Sequence, residues 1–138
     1  MYASLHREPW IRAALVVGLA YLIVGRVFPA PASNVKAWRF AAWLTSFAIF
    51  AAHIWYEQFK LRNAGRRAAS HVAAAVAIGA FGLALAAMIH SLGIASGSRH
   101  RWFLALVLWP AITAVPAFVA ALVGGAILSR VRRSSGVD

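Results

Sequence analysis

The sequence predicts an all-α integral membrane protein: one domain over residues 1–138, a four-helix bundle threaded up-down-up-down with both termini cytoplasmic. Three observations predict it. Hydrophobic residues make up 62% of the chain and charged residues 12%. Soluble domains run nearer half and a quarter, and a chain this short cannot hide so much apolar surface in its own core. The apolar residues also fall into four runs of helix-spanning length, without the alternation of an outer-membrane barrel. Finally, short basic clusters separate the runs, as in chains whose positive residues set their threading.

The first predicted helix covers approximately residues 9–28. Pro9 suits a helix start, and the prolines from Pro29 end it. Arg12 and Arg26 bracket its uncharged centre, roughly 21 Å apart, and both can snorkel to headgroups as anchors alongside Trp10. A basic start, a short apolar stretch and Ala30-Pro31-Ala32 also outline a cleavable leader. Arg26, between that stretch and the small residues, speaks against cleavage.

The second predicted helix, about 38–60, is uncharged from Phe40 to Tyr56, with Trp38 and Trp55 as interfacial anchors near its ends. Phe40, Trp43, Phe47, Phe50 and Ile54 form a stripe suited to packing or lipid contact. Beside it Ala42, Ser46, His53 and Glu57 make a polar line inside an apolar span. The third, about 68–93, has a small-residue strip, Ala75, Gly79, Gly82 and Ala86. The fourth, about 102–130, opens on the anchor Trp102 and carries Ala117, Ala121 and Gly125 beside Pro116, Ala120 and Gly124. Such strips let helix backbones approach, and seams within the chain are expected from them. Pro110 and Pro116 each remove a helical hydrogen bond and are hinge candidates.

Orientation follows from the basic residues. Arg7, Arg12, Lys60, Arg62, Arg66, Arg67, Arg130, Arg132 and Arg133 fall on one side, nine in all. Arg26, Lys36, Arg39, Arg99 and Arg101, five, fall on the other. The richer side is expected in the cytoplasm, within the cell (inner) membrane. The net charge of +11 then serves topology and anionic lipid headgroups; nucleic acid is not an expected partner. With no cysteine, disulfides and thiolate chemistry are excluded.

The chain has only three carboxylates, and Glu57 is the one placed inside an apolar run, one turn after His53. The two share a helix face. His71 begins the next helix after a short turn, and counting along both helices puts His53, Glu57 and His71 at depths of roughly 10, 5 and 6 Å. They meet if His71 faces the second helix. The plain expectation is a staple, with Glu57 paired to Lys60, Arg62, Arg66 or Arg67 and His71 among headgroups. A functional one is a proton- or ion-coupling site of His53, Glu57 and His71. Two cofactor alternatives use the same side chains: a divalent metal on His53, Glu57 and His71, or haem b with His53 and His71 as axial ligands. His71 and His90 are about 100° out of phase, so stacked haems are not expected.

No phosphate loop, nucleophile elbow or paired catalytic carboxylates occur. The expected function is a non-enzymatic transport-type unit or accessory subunit of a membrane complex, associating with itself or a larger assembly. The alternative is a haem- or metal-binding redox protein.

Overall fold

The computed structural model describes residues 9–28, 33–92 and 99–134. These form four helices: α1 (Pro9–Val27), α2 (Val35–Phe59), α3 (Gly65–Leu92) and α4 (Arg99–Ser134). Each lies on a predicted apolar run. The last three begin about one turn earlier than hydropathy suggests, because basic residues at the helix starts still take helical backbone while their side chains reach outward.

Three of the four helices are long and apolar enough to cross a membrane: Pro9–Val27, Gly65–Ser91 and Phe103–Val131, with mean hydropathies of 1.7, 2.4 and 2.2. Only 11%, 28% and 6% of their apolar windows are buried within the chain. Val107, Val115 and Val16 are 74%, 66% and 68% exposed. A surface of that kind requires cover other than water. The second helix does not reach the same hydropathy, since Trp, Tyr, His, Glu, Ser and Thr rank low on that scale, although indole and phenol rings favour the membrane interface.

Glycine seams set the packing. A methyl at Gly79 would meet Tyr21 Cβ at 2.6 Å and the Gly18 carbonyl at 3.0 Å; one at Gly18 would meet Ile78 at 2.7 Å and the Ala75 carbonyl at 3.1 Å. Gly82 faces Leu22, and Gly25 faces Leu83. Partner numbers rise together, so α1 and α3 run parallel. The strip predicted on the third helix is thus an α1–α3 seam, matched by Gly18 from the other side. On α4, Ala121 is buried against Ile54, Gly124 faces Ile54 and Gly125 faces Gln58, so the C-terminal halves of α2 and α4 meet. The third helix is central and packs most extensively on α4 and α1.

One end of the bundle therefore gathers the start of α1, the end of α2, the start of α3 and the end of α4. The core sits there: Ile54, Ala69, Val72 and Ala121, with Phe50, Phe118, Leu122 and Leu128 around them. Towards the other end the helices enclose an open cleft of about 410 Å³ lined by Tyr21, Ser46, Gly79 and Thr113 among others.

Candidate functional site

Glu57 lies on the last turn of α2, and its side chain is among the largest fully buried ones. Three elements surround its carboxylate. From α3, His71 Nδ1 stands 3.0 Å from Oε2. From the turn after α2, the Asn63 side-chain amide donates to the same oxygen at 2.8 Å. From its own helix, His53 Nε2 lies 3.7 Å from Oε1, within ion-pair range but too long for a hydrogen bond.

Local backbone makes this possible. Lys60 and Leu61 both donate to the Tyr56 carbonyl, and Asn63 N donates to the Glu57 carbonyl at 2.9 Å. Arg62 takes a left-handed φ of 53° and Gly65 one of 57°, which folds the chain back over the helix end. The turn thus lays Asn63 on Glu57 and starts α3 with His71 two turns further on. The first helix closes the site: Trp10 stacks on the His71 ring with centroids 4.3 Å apart and planes 7° apart.

The three coupling candidates His53, Glu57 and His71 are therefore together, and all are buried. Their expected surroundings need correcting. Among the described residues no Lys or Arg reaches Glu57 within ion-pair distance; its partners are histidines and an amide. His71 is 8% exposed and lies under Trp10, not among headgroups. Sequence reasoning missed Asn63 and the Trp10 stack. The asparagine two residues before a glycine offered a turn signal, but nothing indicated the carboxylate as its target.

Among the described residues no group of three or more His, Asp and Glu side chains is arranged to hold a metal ion. Oε2 is occupied by an Asn63 N–H, a donor with no lone pair for a cation. Axial haem ligation needs two imidazoles facing across an open slot. Here both imidazoles stand against one carboxylate, His71 Nδ1 3.0 Å from Oε2 and His53 Nε2 3.7 Å from Oε1.

The anchor candidates lie towards the helix ends. Arg12 and Arg26 are exposed on α1. Trp38 is partly exposed and meets Phe28 edge-on at 5.4 Å, and Trp55 is half-exposed and stacks on Phe59 at 5.5 Å. The Trp102 side chain lies outside the described residues. The fourth helix continues through Pro110 and Pro116 without interruption, and the Thr113 hydroxyl donates to the Trp109 and Pro110 carbonyls at 3.0 Å.

Two polar features complete the interior. The Tyr21 hydroxyl is buried without a hydrogen-bond partner, as are both ring nitrogens of His53 and Oε1 of Glu57. Asn63 also lines a cleft of about 1050 Å³ at the basic end, with Gln58, Arg62, Ser129 and Arg133. Asn63 therefore touches both the Glu57 carboxylate and this open cleft. No known protein family, curated protein or solved structure matches the chain.

Proposed function

We propose that this is a four-span membrane protein working as a small transport-type unit, with Glu57 as its protonatable centre between His53 and His71. In this reading α2 is the fourth crossing, threaded up-down-up-down. The end carrying Lys60, Arg62, Arg66, Arg67, Arg130 and Arg133 faces the cytoplasm of a cell (inner) membrane, with both termini there.

The observation that carries the proposal is the setting of Glu57: a fully buried carboxylate bonded to an imidazole from another helix. A carboxylate in such a place is expensive unless neutralised or paired, and intramembrane ionisable groups mark proton and ion pathways. His71 Nδ1 and Glu57 Oε2 stand 3.0 Å apart, so a proton can pass between them along one hydrogen bond. Asn63 links that bond to the cleft at the basic end. Ser46 and Tyr21 line the opposite cleft, and an apolar layer of Phe50, Val72 and their neighbours separates the two. Pro110 and Pro116 leave the Leu106 and Ile112 carbonyls without their helical N–H partners, a place where α4 can bend to open that layer. The exposed apolar faces suit self-association or docking within a larger membrane complex, in which an accessory role would use the same surfaces.

Proteoliposomes carrying an internal pH indicator test this. Under a potassium diffusion potential, wild-type vesicles are expected to acidify or alkalinise faster than protein-free ones. Glu57→Gln, purified as a monodisperse helical protein, is expected to fall to the protein-free rate. Unchanged flux in that variant rejects Glu57 as the carrier of the proton.

A further inference from the structure

We infer that the cleft of about 410 Å³ at the end of the bundle away from Glu57 binds one small, uncharged aromatic molecule, with Ser46 as its hydrogen-bond partner. Hydroxyls on helices commonly bond back to a carbonyl three or four residues earlier. Thr45, Ser70, Ser91, Thr113, Ser129 and Ser134 all do so here. Ser46 is the exception. It is half-buried on α2, lines the cleft, and makes no hydrogen bond among the described residues. A hydroxyl left so inside an apolar span is costly until a partner arrives.

The rest of the lining selects the molecule that carries that partner. Tyr21 and Phe28 come from α1, Trp43 from α2 and Trp109 from α4, with small and aliphatic residues of α3 between them. Aromatic side chains from three helices favour a flat ring. Tyr21 offers only its ring, since its hydroxyl is buried away from the open space. Trp43 is held by stacking on Phe47, with centroids 5.8 Å apart and planes at 14°, so that wall is set before a ligand arrives. Among the described residues no charged side chain lines the cleft, and an ion placed there would be unpaired. An acyl chain would cover the rings but leave Ser46 unbonded; water would serve Ser46 but not the rings. Small-molecule sites run from about 300 to 1,000 Å³, and a cleft near the lower end admits one or two fused rings. In the transport reading cargo sits here, yet the site does not rest on proton movement at Glu57, because its test measures binding without flux.

Equilibrium dialysis of 2-naphthol against nanodiscs carrying the full chain tests the site, with empty nanodiscs of the same lipid as the blank. Saturable uptake of one molecule per chain above the blank is expected. Naphthalene, the same rings without the hydroxyl, should bind the protein more weakly. Ser46→Ala should weaken 2-naphthol about fivefold, the loss of one neutral hydrogen bond, and leave naphthalene unchanged. Thr45→Ala, which removes a hydroxyl already engaged within its own helix, should change neither. Ala42→Phe, which adds a ring to the lining of the cleft, should remove the saturable uptake while the protein stays monodisperse and helical. No saturable uptake above the blank, a Ser46→Ala variant that treats the two compounds alike, or full uptake in Ala42→Phe would overturn the site. Tighter binding of 1-naphthylmethylammonium than of 2-naphthol would mark a cation site and equally overturn it.

Discussion

Asn63 holds Glu57 twice, once by each part of the residue. Its backbone N–H donates to the Glu57 carbonyl at 2.9 Å and its side-chain amide donates to Oε2 at 2.8 Å. The first bond closes the end of α2, and the second orients the carboxylate towards His71. A single turn residue thereby joins helix termination to the geometry of the buried site.

Asn63→Ala removes the second bond and leaves the first. A hydrogen bond to an ionised acceptor is worth about 2 kcal/mol, and a loss of that size is expected in denaturant unfolding of the detergent-solubilised protein. Asn63→Asp is the sharper variant. At neutral pH it sets a second carboxylate against Glu57, a like-charge pair that destabilises. Protonating the new carboxyl restores a donor. The deficit relative to wild type should therefore be largest at neutral pH and shrink as pH falls. A deficit independent of pH would mean that the side chain does not face Glu57.

The Trp10–His71 stack ties α1 to the site. Trp10→Phe keeps a ring over the imidazole and should cost less than about 1.5 kcal/mol, whereas Trp10→Ala should cost about 3 kcal/mol through lost packing. Fluorescence separates this contact from general packing, because a protonated imidazole quenches a stacked indole. The difference spectrum between wild type and Trp10→Phe is expected to show a pH-dependent component that His71→Gln abolishes. A component surviving that substitution would assign the quenching elsewhere.

The glycine seams give an ordered series. At Gly79 an added methyl meets Tyr21 Cβ at 2.6 Å and a backbone carbonyl at 3.0 Å, neither of which moves without shifting a helix. At Gly25 it meets the Leu83 side chain, its methyls at 2.6 and 2.7 Å and Cγ at 3.2 Å, and at Gly125 the amide end of Gln58, all side-chain atoms with no backbone among them. Overpacking against rigid atoms costs about 1–3 kcal/mol, while replacing helical glycine by alanine returns about 1 kcal/mol of propensity. Gly79→Ala should thus lower the thermal midpoint, and Gly25→Ala and Gly125→Ala should leave it unchanged or raise it. Equal effects at all three would contradict the α1–α3 seam.

The sequence carries the helices plainly, since apolar runs and prolines report on length and breaks within one segment. Depth along a helix is equally local, which is why counting residues puts Glu57 and His71 at nearly the same depth and His53 about one turn deeper. What closes the site is not local. Rotation of α3 decides that His71 faces Glu57, and rotation of α1 decides that Trp10 covers it; both follow from Gly18 and Gly79 meeting across helices. The left-handed backbone at Arg62, uncommon for a residue other than glycine, directs Asn63 inward and leaves the neighbouring cations in the rim. A sequence that offers Glu57 four nearby cations invites the pairing that this turn prevents.

Removing the carboxylate altogether tests whether the site is a coupled unit. Glu57→Gln retains an oxygen for Asn63 and His71 and should cost little stability, which makes it the suitable variant for flux measurements. Glu57→Leu leaves the Asn63 and His71 donors buried without an acceptor, and breaking a buried pair in this way costs about 3–5 kcal/mol. Because His71 reaches Oε2 at 3.0 Å, much of that loss should disappear when the histidine is removed as well. The double variant Glu57→Leu/His71→Leu is therefore expected to be more stable than the sum of the single changes, by at least about 1 kcal/mol. Unfolding of the four proteins of this cycle in one detergent measures the coupling directly, and strict additivity would mean that the two side chains do not interact in the folded protein.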